Sequence, residues 1–315
     1  MTEEFIMPKS KWFDPAEWLA GDYLDQAMPI FSCLPRLDTL LGGGFYPGMW
    51  CIMAEPGAGK SAFGLQLAFF NAWNKRNVAY ISLEMPAHQC WSRIASAWSY
   101  CCNYEYRFKW SDVPNMGRKA ASAITVNGTL ERSRIFESDD LMARATMALE
   151  TGSPGLMISD GNGERDIASV LSLLRDAKAQ DTELAIVDYL QQIATVPGAK
   201  TYERVSEVSA ALKDVANELK IPLVVIVAMN RESMRGKKPD MHGGSGSAGI
   251  EYDACGILTL KRIDDKSTRD CKRVELRIQK NRYGYSGESV MLDYWPAYNV
   301  FKEAKDHAAN NDETE

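Results

Sequence analysis

Metal-binding and cross-linking side chains are scarce in this chain. It has three histidines, and its seven cysteines (33, 51, 90, 101, 102, 255 and 271) include no Cys-x-x-Cys pair. An odd, scattered set of this kind argues against a structural zinc site or a disulfide framework and reads as small buried hydrophobes in a reducing cytoplasm. Long apolar runs are missing as well. None approaches the roughly 20 residues that a membrane-spanning helix needs, so no membrane association is expected. The opening stretch MTEEFIMPKSK lacks the basic and apolar segments of a secretory leader. Positive charge is in deficit, with 36 Lys and Arg against 42 Asp and Glu and a net charge of −6. Such a protein has no global attraction for nucleic acid, and any such binding must come from a local basic patch.

What is present suits a globule with a sizeable core: 315 residues, 45% hydrophobic and 25% charged, enough for one large α/β domain or two small ones. Its most informative string is AEPGAGKS at 54–61. An apolar run, Met49 to Met53, precedes it, and an apolar-periodic stretch with Phe63, Leu65, Leu67 and Ala68 follows. Strand, glycine-rich loop and helix in that order are the context of a phosphate-binding P-loop. Gly57 and Gly59 let successive N–H groups turn inward toward phosphate oxygens, and the following helix adds the positive end of its dipole. The expected phosphate-binding stretch is Glu55, Pro56, Gly57, Ala58, Gly59, Lys60, Ser61 and Ala62. Lys60 is expected on the β/γ-phosphates of ATP and Ser61 on Mg²⁺. Ala54 stands where the consensus has its first glycine.

Alternating strands and helices from Phe31 onward predict a mostly parallel sheet covered by helices. Strands are expected at 49–54, 77–84, 155–160, 184–190 and 222–229, where nearly continuous apolar content fits burial on both faces. The clearest helix is 202–219, stopped by Pro222. After residue 255 the pattern turns antiparallel, with strands at 255–261, 273–280 and 288–294. Asp14, Pro15 and Glu17 mark a short N-terminal helix to about Asp25. The organisation expected is an arm at 1–30 with a docking helix, an ATPase domain at 31–301 and a polar tail at 302–315.

Two carboxylates end apolar strands. Asp188 closes Leu184-Ala185-Ile186-Val187, where burial is costly unless a cation is met; beside a P-loop it would orient the Mg²⁺ shell. Glu84 closes NVAYISLE at the strand edge where open α/β sheets bind ligands, and there it could take a proton from an attacking water.

Six further strings, SLEM (82–85), IVDYLQ (186–191), RVSEVSAALKDVANELKIP (204–222), MNR (229–231), GIEYDA (249–254) and KNRYGYSG (280–287), resemble the ATPase half of DnaB-type replicative helicases in order and spacing. The alanine and internal proline of the P-loop are typical of that family. The resemblance spans roughly Phe31 to Val300. It implies a RecA-like core, working as a homo-oligomeric ring, usually of six subunits, on single-stranded DNA. It implies Glu84 as catalytic base and Asp188 as Mg²⁺ residue. It makes Lys280 and Arg282 the basic pair inserted into a neighbouring subunit's site. A loader or primase is an implied partner.

Four features depart from the family pattern. Ala228, in VAMNR, replaces a glutamine thought to sense the γ-phosphate. Gly243-Gly244-Ser245-Gly246-Ser247 replaces a DNA-contacting loop that carries an arginine and a glutamate. Tyr252 and Cys255 replace a glutamine and an aspartate. At this length the primase-binding N-terminal domain of full-length relatives is not expected in the chain. Positive charge remains beside the glycine loop at Arg231, Arg235, Lys237 and Lys238, and with Ser245, Gly246 and Ser247 these form the expected DNA contact. The alternatives are a RecA-family ring ATPase that regulates or loads a partner without unwinding DNA, and a binding module with little hydrolysis.

Overall fold

The protein's structure, a computed structural model, describes residues 29–101, 107–116, 125–126, 129–130, 145–146, 149–150, 152–193, 201–229, 247–263 and 266–305. Among these residues the main sheet has nine strands. They are β1 (Gly48–Ala54), β2 (Val78–Ser82), β3 (Leu156–Ser159), β4 (Leu184–Asp188), β5 (Pro222–Ala228), β6 (Gly256–Ile263), β7 (Lys272–Asn281), β8 (Ser289–Trp295) and β9 (Val300–Glu303). Their spatial order is β9-β8-β7-β6-β1-β5-β4-β2-β3. The six from β6 to β3 run parallel. The last three turn back on one another antiparallel.

The helices are α1 (Pro35–Leu41), α2 (Lys60–Trp73), α3 (Ala87–Cys101), α4 (Ile167–Lys178), α5 (Thr201–Leu219) and α6 (Ser247–Asp253). Every residue of β1, β2 and β4 is buried, as two helix layers require. Alternate residues of one strand enter different cores. Trp50 and Ile52 pack with Phe63, Leu67, Ile94 and Trp98 under α2 and α3. Met49 and Cys51 pack with Val170, Leu174, Val208 and Leu212 under α4 and α5. The antiparallel strands β7 and β8 alternate between buried and half-exposed positions, since only one of their faces is covered.

All eight strands expected from the sequence are present, each within two or three residues of its expected ends, as is the helix ending before Pro222. The strand β9 was not expected. Lys302 and Glu303, assigned to the polar tail, pair in β9 with Asp293 and Leu292. Glu303 then accepts the backbone N–H of Arg36 at 2.7 Å and caps the start of α1. The helix expected from Asp14 to Asp25 lies outside the described residues. No helix among the described residues is long and apolar enough to cross a membrane.

Candidate active site

The loop after β1 is shaped by two left-handed glycines, Gly57 (φ 83°) and Gly59 (φ 92°). A side chain at Gly59 is blocked twice: by that backbone angle, and by Phe301 and Tyr294, whose rings would lie 2.7 and 2.9 Å from a Cβ. Those rings stack on each other at 4.1 Å and form a floor beneath the loop. Gly59 is also the residue from which α2 starts, so the helix's free N–H groups open onto the loop's concavity. A cleft of about 200 Å³ here is lined by Gly57, Gly59, Lys60, Ser61, Ala62, Glu84, Met85, Arg93 and Tyr294. Of the eight expected phosphate-loop residues, Gly57, Gly59, Lys60, Ser61 and Ala62 therefore line the cleft. Ala58 is buried, and Glu55 and Pro56 are not among the lining residues; Ala58 N–H donates to Glu55 O at 3.2 Å and closes the turn.

Register brings the carboxylates to the same edge. Ser82, the last residue of β2, pairs with Asp188, the last of β4. The Ser82 hydroxyl donates to Met85 O at 2.7 Å and accepts from Met85 N–H at 3.1 Å, which closes a tight turn around Glu84. Glu84 Oε2 then lies 3.3 Å from Lys60 Nζ, and the same ammonium sits 4.9 Å over the Tyr189 ring. Asp160, at the end of β3, accepts the Ala87 N–H at 3.1 Å and fixes the start of α3 on the far side of that turn.

Asp188 is fully buried. Its Oδ2 accepts the Tyr80 hydroxyl at 2.7 Å, whereas Oδ1 is buried with no hydrogen-bond partner. Burial pushes this carboxyl up from the ordinary carboxylate range; the Ser61 and Tyr80 hydroxyls and the Lys60 charge pull against it. Ser61 thus acts on Asp188 from close by, but short of a hydrogen bond to Oδ1. A buried carboxylate oxygen left unpaired is expensive. Opposite a serine hydroxyl and beside a phosphate-binding loop, it fits a divalent cation or its bound water. Ser61 and Asp188 are therefore a suitable Mg²⁺ pair.

Arg93 lines the same cleft and carries no mark in the sequence that separates it from a solvated helix cation. It reaches in from α3, with its guanidinium stacked 4.4 Å over Trp110 and donating to Asn299 Oδ1 at 3.3 Å. Its Nε is buried without a partner. Asn299 in turn donates to Ala62 O at 3.3 Å, so the cation is tied to the first turn of α2. Gln191, in the string IVDYLQ, clamps Ala228 at the end of β5. Its Oε1 accepts the Ala228 N–H at 3.1 Å and its Nε2 donates to Ala228 O at 2.9 Å. Ala228, where the sequence resemblance leads one to expect a glutamine, is thus held through its backbone by a glutamine from the neighbouring strand's turn.

Lys280 and Arg282 lie elsewhere. Lys280 is near the end of β7 and Arg282 directly follows it; Ile257 pairs with Lys280 and Gly256 with Asn281, and Gly256 pairs with Trp50 near the start of β1. The P-loop leaves the other end of β1, so about 13 Å of strand separates the two places. Lys280 donates to Glu251 O and Arg282 to Tyr252 O, at the C-terminal end of α6, where cations are favoured. Burial, with the Arg282 charge beside it, lowers the Lys280 ammonium below its usual value. Arg231, Arg235, Lys237, Lys238, Ser245 and Gly246 lie outside the described residues, and Ser247 is described only as the first backbone position of α6.

A P-loop on a mostly parallel sheet, with one carboxylate against the lysine and another buried toward the metal position, defines a P-loop nucleoside triphosphatase. The model of the DnaB-like helicase C terminal domain matches residues 30–303, and the chain belongs to that family. It is 28% identical over 275 residues to the replicative DNA helicase DnaC of Bacillus subtilis (strain 168), covering 84% of this chain and 54% of that protein. A probable plasmid replicative DNA helicase of Chlamydia psittaci is 28% identical over 84% of this chain and 52% of its own length. The chain thus spans about half the length of these relatives. Among solved structures, a DnaB-like replicative helicase, described together with its interactions with primase, superposes with a TM-score of 0.70 at 21% identity, covering 94% of this chain and 68% of that one. A KaiC-like protein of Pyrococcus horikoshii OT3 superposes at 0.55 and 16% identity, over 89% of this chain and all of that one. The fold is the RecA-like one expected.

Proposed function

We propose that this chain is the motor of an ATP-driven, single-stranded DNA translocase and helicase acting in DNA replication in the cytoplasm, and that it works as a homo-oligomeric ring, usually of six subunits. The observation that carries the proposal is the convergence of Lys60, Glu84 and the unpaired Asp188 Oδ1 at one end of the sheet. Loop N–H groups and Lys60 hold the β- and γ-phosphates. Glu84 accepts a proton from the water that attacks the γ-phosphorus as the bond to the β–γ bridging oxygen breaks, leaving ADP and phosphate. Mg²⁺, held by Ser61 and Asp188, would supply neutralisation of charge on the phosphate oxygens. Lys280 and Arg282 lie at the end of the sheet opposite their own chain's cleft, and we assign them to the site of a neighbouring subunit. A cation supplied in that way contributes roughly 10³–10⁵ in rate and makes hydrolysis depend on assembly. The segment with Arg231, Arg235, Lys237, Lys238, Ser245, Gly246 and Ser247 is assigned to DNA. Repeated around a ring, weak contacts there add through effective concentration. The structural neighbour described with its primase interactions makes a primase or loader a reasonable partner.

Steady-state hydrolysis at low salt tests this. ATP turnover should rise with added single-stranded DNA, and Lys60→Ala should abolish it. Turnover indifferent to DNA would sink the translocase. Ala228, with no side chain to sense phosphate, favours a second reading, a ring ATPase that regulates or loads a partner. A forked duplex separates the two, since only the helicase opens it.

A further inference from the structure

Tyr80 stands in the middle of β2 and is fully buried. A tyrosine in a buried strand needs a partner for its hydroxyl, and here the partner is Asp188 Oδ2 at 2.7 Å. The ring lies against α2. A Cβ on Gly64 would sit 3.4 Å from Tyr80 Cε2 and 3.3 Å from Ile226 Cδ1, so α2 settles on β2 at this point because residue 64 has no side chain. One residue therefore joins three parts of the site: the strand that leads to Glu84, the carboxylate that ends β4, and the helix that begins with Lys60 and Ser61. The two carboxylate oxygens become unlike. Oδ2 is committed to a phenol inside the core, and Oδ1 is left without a partner.

We infer that Tyr80 is a positioning residue for metal binding: its hydroxyl locks the Asp188 carboxylate so that Oδ1 alone is presented toward Ser61 and the divalent cation of the nucleotide. The proposal rests on the nucleotide–Mg²⁺ reading of the site. A carboxylate with one anchored oxygen cannot turn about its terminal bond without breaking a buried hydrogen bond, so it binds a cation, or a water on that cation, through one oxygen in a single orientation. Outer partners of this kind raise metal affinity about 10–100-fold where they have been removed and the loss measured. A bland alternative exists in which Tyr80 only fills space beneath α2. The two differ in what removal of the hydroxyl does: space is kept by phenylalanine, and orientation is not.

The test is a titration of the intact chain with Mn²⁺ in the presence of saturating ADP, following free Mn²⁺ by its paramagnetic resonance signal. ADP affinity without metal and the thermal melt are measured alongside. Tyr80→Phe should weaken Mn²⁺ binding about tenfold and leave metal-free ADP affinity unchanged. Tyr80→Met, which fills much of the same space without a donor, should do the same. In an Asp188→Asn background, Tyr80→Phe should have no further effect on metal. Equal Mn²⁺ affinity in wild type and Tyr80→Phe would overturn the role of Tyr80 while leaving the nucleotide site standing. A wild-type protein with no ADP-dependent Mn²⁺ site would overturn both. A fall in melting temperature of the same size in the wild-type and Asp188→Asn backgrounds, with metal affinity intact, would reduce Tyr80 to a packing residue.

Discussion

Among the described residues Lys60 meets the Glu84 carboxylate at 3.3 Å and the Tyr189 ring at 4.9 Å. Glu84 is the more solvent-open member of the ion pair, with 43% of its side chain exposed against 17% for Lys60. An exposed pair of this type contributes little to stability, so Glu84 is free to serve chemistry. Glu84→Gln keeps the shape and removes the base. We expect turnover to fall by about 10²–10⁴ with ATP affinity and melting temperature nearly unchanged, as single-turnover hydrolysis and nucleotide titration would show. An unchanged rate would instead favour a binding module. Glu84 and Asp188 were legible in the sequence because a carboxylate that ends an apolar strand contradicts its surroundings. Tyr80, Arg93 and Gln191 were not. A tyrosine in a strand, an arginine on a helix and a glutamine in a turn agree with their local patterns, and only three-dimensional neighbours reveal that Tyr80 meets Asp188, that Arg93 enters the cleft and that Gln191 holds Ala228.

Elements that bury both faces announced themselves through continuous apolar content, which is why β1, β2, β4 and β5 were legible from composition alone. The short ones were not. The helix α1 has seven residues, too few for a periodicity, and its start depends on Glu303, distant in sequence. The strand β9 has four residues and ends in Lys-Glu, which by itself reads as the start of a polar tail. The junction of β6 with β1 depends on one small residue. A Cβ at Gly256 would stand 2.1 Å from Cζ3 of Trp50, and Trp50 is fully buried beside Phe45 at 5.1 Å between centroids. The indole has no room to retreat, because its Nε1–H donates to Tyr46 O at 2.8 Å. Gly256→Ala should therefore destabilise the protein by about 1–3 kcal/mol or more, the usual cost of overpacking, read as a lower denaturation midpoint. The site-bearing loops are remote from this junction, so ATP affinity below the transition should stay near that of wild type.

At the scale of the whole molecule, the sheet order was not legible, since parallel strands buried on both faces look alike in composition. The order decides the functional geometry. It sets β6 and β7 on the opposite side of β1 from β4 and β2, and the reversal at β7 carries Lys280 and Arg282 to the edge that the P-loop does not occupy. The surface beside them exposes Tyr252, Tyr283 and Tyr285, and Tyr283 stacks on Tyr46 at 4.5 Å, which makes a firm platform around the two cations. The pair lies at the end of the sheet opposite its own cleft, and the proposed assignment to a neighbouring subunit's site predicts complementation between two defective chains. Lys60→Ala lacks the phosphate contact but retains the pair, and Arg282→Ala has the reverse defect. Each should be nearly inactive alone. Mixed in equal amounts and allowed to assemble, random heterologous contacts would place an intact Lys60 opposite an intact Arg282 at about one site in four. Hydrolysis should then recover to roughly that fraction of wild type if sites act independently, and to less if they act in concert. No recovery on mixing, with both variants shown to co-assemble, would mean that Arg282 does not serve a neighbour's site.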